Sequence, residues 1–230
     1  MIEILKGKKV IFFDVGYTID HPASGDWIFT NKFYEFTGDK LKVCSPEQIN
    51  KARALGMDYL VKNHLIRDEE EETEQFINYY RIVSESLHFD LTDAEITEIA
   101  RDRTYNMDNY IIYPDAKRVI ETFSNTHKLG IISDTWPSIE NQLRTFGVRR
   151  YFSFVTYSFS LGTFKPDRRM YLDALGKCGH DAEETVFIDD YFPNLEGAAK
   201  MGITPILIAA NPESDVETSF LKIHSLSELL

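Results

Sequence analysis

The stretch Lys9-Lys-Val-Ile-Phe-Phe-Asp-Val-Gly-Tyr-Thr18 decides how the rest of the chain reads. Residues 10–13 are apolar without alternation, the pattern of a strand buried on both faces. Asp14 ends the run, and a tight turn containing Gly16 follows at once. Ligands of open α/β sheets bind at the carboxyl ends of the strands, so a carboxylate at that edge is placed for chemistry.

Downstream of this turn the pattern changes twice. Residues 19–109 read as helical: Trp27, Phe29, Phe33, Tyr34 and Phe36 crowd one segment. Ile49, Ala52, Leu55, Tyr59 and Leu60 recur near helical spacing, as do Phe76, Ile77, Tyr80 and Val83. Thr92 followed three residues later by Glu95 is the signature of a capped helix start. The acidic run Asp68-Glu-Glu-Glu-Glu72 reads as the solvated first turn of another helix, where carboxylates are favoured by the helix dipole. After Tyr113, short apolar runs at 129–133, 154–157, 186–189 and 205–208 alternate with helical segments that begin near Pro114 and Pro166 or end at Gly202. Residues 222–224 add an expected edge strand, and 225–230 a last short helix. Such alternation implies right-handed βαβ units. The expected fold is therefore α/β: a Rossmann-like parallel sheet core in three α/β/α layers, formed by residues 1–18 and 110–230, with residues 19–109 inserted as a helical cap domain.

Composition narrows the partners. Of the 230 residues 43% are hydrophobic and 27% charged, the balance of a soluble globular chain with a substantial core. The formal net charge of -12 argues against a nucleic-acid partner, whose phosphate backbone attracts basic proteins. It leaves room for a small phosphorylated molecule held in a local pocket. No apolar run reaches the roughly 20 residues that span a bilayer, which argues against a membrane partner. The opening Met1-Ile-Glu-Ile-Leu-Lys lacks a secretory signature. Cys44 and Cys178 suggest neither a disulfide framework nor a zinc site, so a cytoplasmic protein with reduced thiols is expected, as monomer or homodimer.

Four features stand after expected strands: Asp14-Val-Gly16-Tyr-Thr18, Gly130-Ile-Ile-Ser133-Asp-Thr, Gly162-Thr-Phe-Lys165-Pro-Asp167 and Val186-Phe-Ile-Asp189-Asp190-Tyr-Phe-Pro-Asn194. Singly, each has a plain reading, since Ser133 or the acidic pair could cap the next helix. Together and in this order they resemble the four motifs of the haloacid dehalogenase-like hydrolase superfamily. The insert between the first two resembles that family's helical cap of the first type.

The resemblance implies a function and a role for each residue. Asp14 would be the nucleophile that forms an aspartyl-phosphate. Mg²⁺ would offset the charge of nucleophile and phosphoryl group, held by Asp14, Asp190 and the carbonyl of Gly16, with Asp189 acting directly or through water. Lys165 would neutralise nucleophile and phosphoryl oxygens, and Ser133 would donate to one of those oxygens. Asp134 joins Ser133 and Lys165 as an expected phosphate-binding residue, while Thr18 and Asn194 would support the site. The expected activity is Mg²⁺-dependent phosphatase chemistry on a small phosphorylated metabolite.

Gly16 departs from the pattern. Phosphatases of this family carry there the aspartate that protonates the leaving group and then activates water, help worth about 10²–10⁴ in rate. Its absence suits substrates whose leaving group is stable as an anion, such as acyl and aryl phosphates, or calls for a substitute from Asp20 or His21. Two other reactions fit a small residue there: a metal-independent 2-haloacid dehalogenase, or a phosphonate hydrolase using a cap lysine such as Lys32, Lys51 or Lys62. A non-enzymatic alternative is a regulatory protein that binds phosphate or metal with little turnover.

Overall fold

The computed structural model describes residues 3–230; Met1 and Ile2, at the start of the expected core segment, lie outside the described residues. Two compact units emerge. One comprises the segments up to His21, Ile112–Thr135 and Ile139–Leu230; the other comprises Pro22–Ile111 and Trp136–Ser138. The boundaries thus fall at 21/22 and 111/112 instead of 18/19 and 109/110. Three residues beyond the second motif also join the helical unit.

The first unit is built on six parallel strands: β1 (Val10–Phe13), β4 (Lys128–Ser133), β5 (Phe152–Tyr157), β6 (Thr185–Asp189), β7 (Thr204–Ile208) and β8 (Leu221–Ile223), in the order β5-β4-β1-β6-β7-β8. The numbers β2 (Asp20–Pro22) and β3 (Tyr110–Ile112) belong to a separate two-stranded sheet where the chain leaves and re-enters this unit, a break in the helical reading of 19–109. All four residues of β1 are buried, as a central strand with both faces covered requires. Val10 and Phe12 point to one face, into a core shared with Met170, Tyr171 and Ala174 of α8 (Arg168–Cys178) and Leu195 and Ala198 of α9 (Phe192–Lys200). Ile11 and Phe13 alternate to the other face, where α5 (Ala116–Ser124) packs on β4. Two short helices, α6 (Ile139–Thr145) and α7 (Ser158–Leu161), complete this unit. α8 starts at Arg168, two residues past Pro166, because the Asp167 side chain accepts the Arg169 amide at 2.9 Å and caps the helix.

The topology concentrates chemistry. β1 lies between β4 and β6, and the chain moves outward to β5 before crossing back to β6. The sheet order therefore reverses beside β1, the switch point at which open α/β sheets bind ligands.

The second unit holds α1 (Asn31–Leu41), α2 (Pro46–Lys62), α3 (Glu69–Leu87) and α4 (Asp93–Tyr105). Each begins at a side-chain cap: Thr30, Ser45, Asp68 and Thr92, the last two-way with Glu95. Phe29, Phe33, Phe76, Tyr79, Tyr80 and Val83 form its core. Tyr34, from the same aromatic segment, is 38% exposed. The acidic start of α3 is solvated only in part. Glu72 is fully buried, with its carboxylate 2.7 Å from Arg103 Nη1 and accepting from both the amide and the hydroxyl of Ser138 at 2.7 Å. The Arg103 guanidinium lies over the rings of Phe76 and Trp136 at 4.0 and 5.4 Å.

Candidate active site

Three neighbouring strand ends carry the first groups. Ser133 is the last residue of β4, Asp189 the last of β6, and Asp14 follows β1 directly, its amide bonded to the Ile188 carbonyl at 2.9 Å. Beyond Asp14 the chain turns back within four residues: the amides of Thr18 and Ile19 bond the Val15 carbonyl, and Tyr17 donates to the carbonyl of Asp20. The left-handed residue of this turn is Tyr17, at φ 53°, and not Gly16. Thr18 is fully buried within it, its hydroxyl without a partner among the described residues.

Lys165 stands at the centre. Its Nζ lies 2.8 Å from Asp14 Oδ1 and 2.7 Å from Asp189 Oδ2, and donates to the Ile132 carbonyl at 3.2 Å. Burial alone would lower the pKa of this lysine. The charges of Asp14, Asp189 and Asp134 outweigh it and hold the ammonium well above its usual range. Asp134 has a structural tie: its Oδ1 accepts the Lys165 backbone amide at 2.9 Å and braces the loop that presents the lysine. The Ser133 hydroxyl is different, since no hydrogen bond among the described residues engages it and it remains available as a donor.

The acidic pair divides its duties. Asp189 is saturated: Oδ1 accepts from the Tyr191 amide at 2.7 Å and Oδ2 from Lys165, while Asn194 Nδ2 lies 3.2 and 3.1 Å from the two oxygens. Asn194 thus supports the lysine's partner, and is held in turn by Tyr171 Oη on its carbonyl at 2.7 Å. Asp190 has one hydrogen bond among the described residues, from Ser214 Oγ to Oδ2 at 2.8 Å. Ser214 sits beyond β7 and was invisible to a reading based on the four motifs; the Asn211-Pro-Glu-Ser214 turn after a strand was its only signal.

Charge does not balance here. Four carboxyl groups, Asp14, Asp134, Asp189 and Asp190, surround one lysine. Burial pushes Asp134 up to about 7 against the pull of Lys165. Burial and the neighbouring charges of Asp189 and Asp14 push Asp190 up to about 7 as well. Asp189 is also raised by burial, in spite of Lys165. Carboxyl oxygens of Asp14, Asp189 and Asp190 lie within 4.8 Å of one another. A hard, all-oxygen donor set with surplus negative charge fits a small divalent cation such as Mg²⁺.

The two candidate substitutes for the absent carboxylate at Gly16 are held differently. Asp20 is fully buried and bonded by Gln142, and burial raises its pKa well above the carboxylate range. The His21 ring packs 5.2 Å from that of Tyr113. Lys32 pairs with Glu35 and Glu98, and Lys62 with Asp58.

Comparison with known proteins identifies the family. Residues 27–208 match the model of the haloacid dehalogenase-like hydrolase family, a span that includes Ser133, Lys165 and Asp189 but begins after Asp14. A mouse protein, haloacid dehalogenase-like hydrolase domain-containing protein 3, is 33% identical over 109 residues, 45% of this chain and 43% of that protein, so the match spans less than half of either. Among solved structures, a 2-haloacid dehalogenase from Pseudomonas syringae pv. Tomato DC3000 is similar at a TM-score of 0.64 and 21% identity, covering 96% of both chains. A HAD phosphatase from Thermococcus onnurineus is similar at 0.64 and 21%, covering 96% of this chain and 95% of that one. These two support the fold and not a choice between their activities. With well over half of its length under the family model, the chain belongs to the haloacid dehalogenase-like hydrolases.

Proposed function

We propose that this hydrolase is a Mg²⁺-dependent phosphatase acting on a small phosphorylated metabolite with a good leaving group. The observation that carries the reading is the surplus of carboxyl groups around Lys165, which calls for a bound cation beside the nucleophile. Asp14 and Asp190 would hold the ion, with the Gly16 carbonyl as a further oxygen; Asp189 serves mainly as the counter-charge of Lys165. When bound, the ion supplies Lewis-acid neutralisation of the phosphoryl oxygens.

The chain's own residues do the rest. Asp14 attacks phosphorus through a carboxylate oxygen, and the bond to the leaving oxygen breaks with its electron pair. Lys165 offsets the negative charge of Asp14 from 2.8 Å, and Ser133 donates to a phosphoryl oxygen. Water then attacks the phosphorus of the aspartyl-phosphate, releasing phosphate and restoring the carboxylate. With glycine at position 16 and Asp20 buried on Gln142, the leaving group lacks the carboxylic acid that position 16 would supply, which favours acyl and aryl phosphates over alkyl esters.

The test is phosphate release from an acyl and an aryl phosphate, with Mg²⁺ and with chelator. Activity is expected to need Mg²⁺ and to vanish in Asp14→Asn. Gly16→Asp is expected to raise turnover of alkyl phosphates about 10-fold or more, by supplying the missing acid. Halide release from a 2-haloacid in chelator would overturn the phosphatase reading in favour of a dehalogenase. Saturable phosphate binding without turnover would overturn it in favour of a binding protein.

A further inference from the structure

Asp189 and Asp190 are adjacent in sequence but are held by partners of opposite electrostatic kind. Asp189 meets the ammonium of Lys165, which cancels its charge. Among the described residues, Asp190 is hydrogen-bonded by the neutral hydroxyl of Ser214 alone, 2.8 Å from Oδ2. A hydroxyl has a single proton, so that bond fixes the carboxylate without neutralising it. Oδ1 is left open, with no hydrogen bond to it among the described residues.

Ser214 is itself held in place. It ends a single turn of 3₁₀ helix, Pro212–Ser214, on the segment leaving the carboxyl end of β7. Its amide bonds the Asn211 carbonyl at 2.9 Å, and Asn211 Oδ1 accepts from the Glu213 amide at 3.2 Å. The residue is buried, so water competes poorly for its hydroxyl.

We infer that Ser214 is a positioning residue for the divalent cation: it orients Asp190 so that one oxygen is fixed to the β7 segment and the other, with its charge intact, faces the ion. The inference rests on the metal-dependent reading above. Its physical basis is the freedom of an aspartate's terminal torsion, which is broad and roughly two-fold when nothing holds it. A clamped carboxylate has lost that freedom before the ion arrives. Hydrogen bonds to metal ligands commonly change affinity 10–100-fold for this reason. A lysine or arginine in place of Ser214 would also orient the group, but would repel the ion.

The experiment is calorimetric titration of the full chain with Mg²⁺, repeated with Mn²⁺, for the native protein, Ser214→Ala and Ser214→Thr. Ser214→Ala is expected to weaken binding about 10–100-fold, while Ser214→Thr, which keeps the hydroxyl, stays within about threefold. Melting in chelator separates this from a folding defect: the affinity loss is expected with little change in the metal-free transition. Should Ser214→Ala melt much lower, Asn211→Ala, which loosens the turn and keeps the hydroxyl, is expected to weaken the ion in the same direction. Equal affinity in native protein and Ser214→Ala overturns the inference while leaving the metal reading standing. A native protein that binds neither ion overturns both.

Discussion

Asp134 illustrates how much a single residue depends on its neighbours. In sequence it follows Ser133 and looks like a second phosphate ligand. In the structure it accepts the Lys165 amide and carries a pKa raised to about 7 by burial. Asp190 is raised to about 7 by burial and by adjacent carboxylates. In the unfolded chain both would titrate near 4. Between about pH 4 and pH 7 the metal-free folded state therefore binds protons that the unfolded state has lost, and this contribution to stability disappears as pH rises through 7. In chelator, the denaturant midpoint is expected to fall from pH 5.5 to pH 8, and Asp134→Asn is expected to flatten the slope. Equal midpoints at the two pH values would remove the basis for a strained, proton-loaded acidic site. Tyr17 is a further residue whose role in the turn was not readable: a bulky side chain at positive φ is uncommon, and the residue type beside Gly16 gives no hint of it.

At the scale of elements, the sequence was most legible where local chemistry decides. The Thr92–Glu95 capping box forms as its spacing indicates, and β1 is buried on both faces as its unbroken apolar run requires. It was least legible at element ends that depend on packing. β5 begins two residues earlier than its apolar run, at Phe152, whose ring meets Phe13 edge-on at 6.0 Å. Gly130 has a purely tertiary reason to be glycine: a Cβ there would lie 2.5 Å from the Phe154 ring and 2.8 Å from that of Phe12. Gly130→Ala is expected to destabilise the protein by about 1–3 kcal/mol through overpacking on β4, measurable by denaturant unfolding. A neutral result would mean that the Phe154 ring can swing aside at no cost.

For the whole molecule, the segment Trp136–Ser138 is the informative one. The chain leaves the sheet unit after Thr135 and joins the helical unit for three residues, where Ser138 binds the buried Glu72–Arg103 pair. Glu72 was missed because it belongs to an acidic run. Its position was nevertheless available, since Glu72 lies four residues before Phe76 on the stripe that continues through Tyr79, Tyr80 and Val83. Glu72→Ala is expected to cost about 3–5 kcal/mol, because it leaves a buried arginine unpaired. The double change with Arg103→Met is expected to recover much of that loss. Chemical denaturation of the four proteins in the cycle checks this; a loss under about 1 kcal/mol for Glu72→Ala would show the pair to be solvated after all.

What the sequence determined by itself was the parallel α/β core, the inserted helices and the four motif positions, because strand burial, helix periodicity and capping are local patterns repeated along the chain. The tertiary structure decided the rest. It made Asp189 the partner of Lys165 and left Asp190 with Ser214, turned Asp134 to the lysine loop, and buried Asp20 and Glu72. Those outcomes depend on which groups meet across long sequence separations and on how far water is excluded from them, and neither is written in the order of the residues.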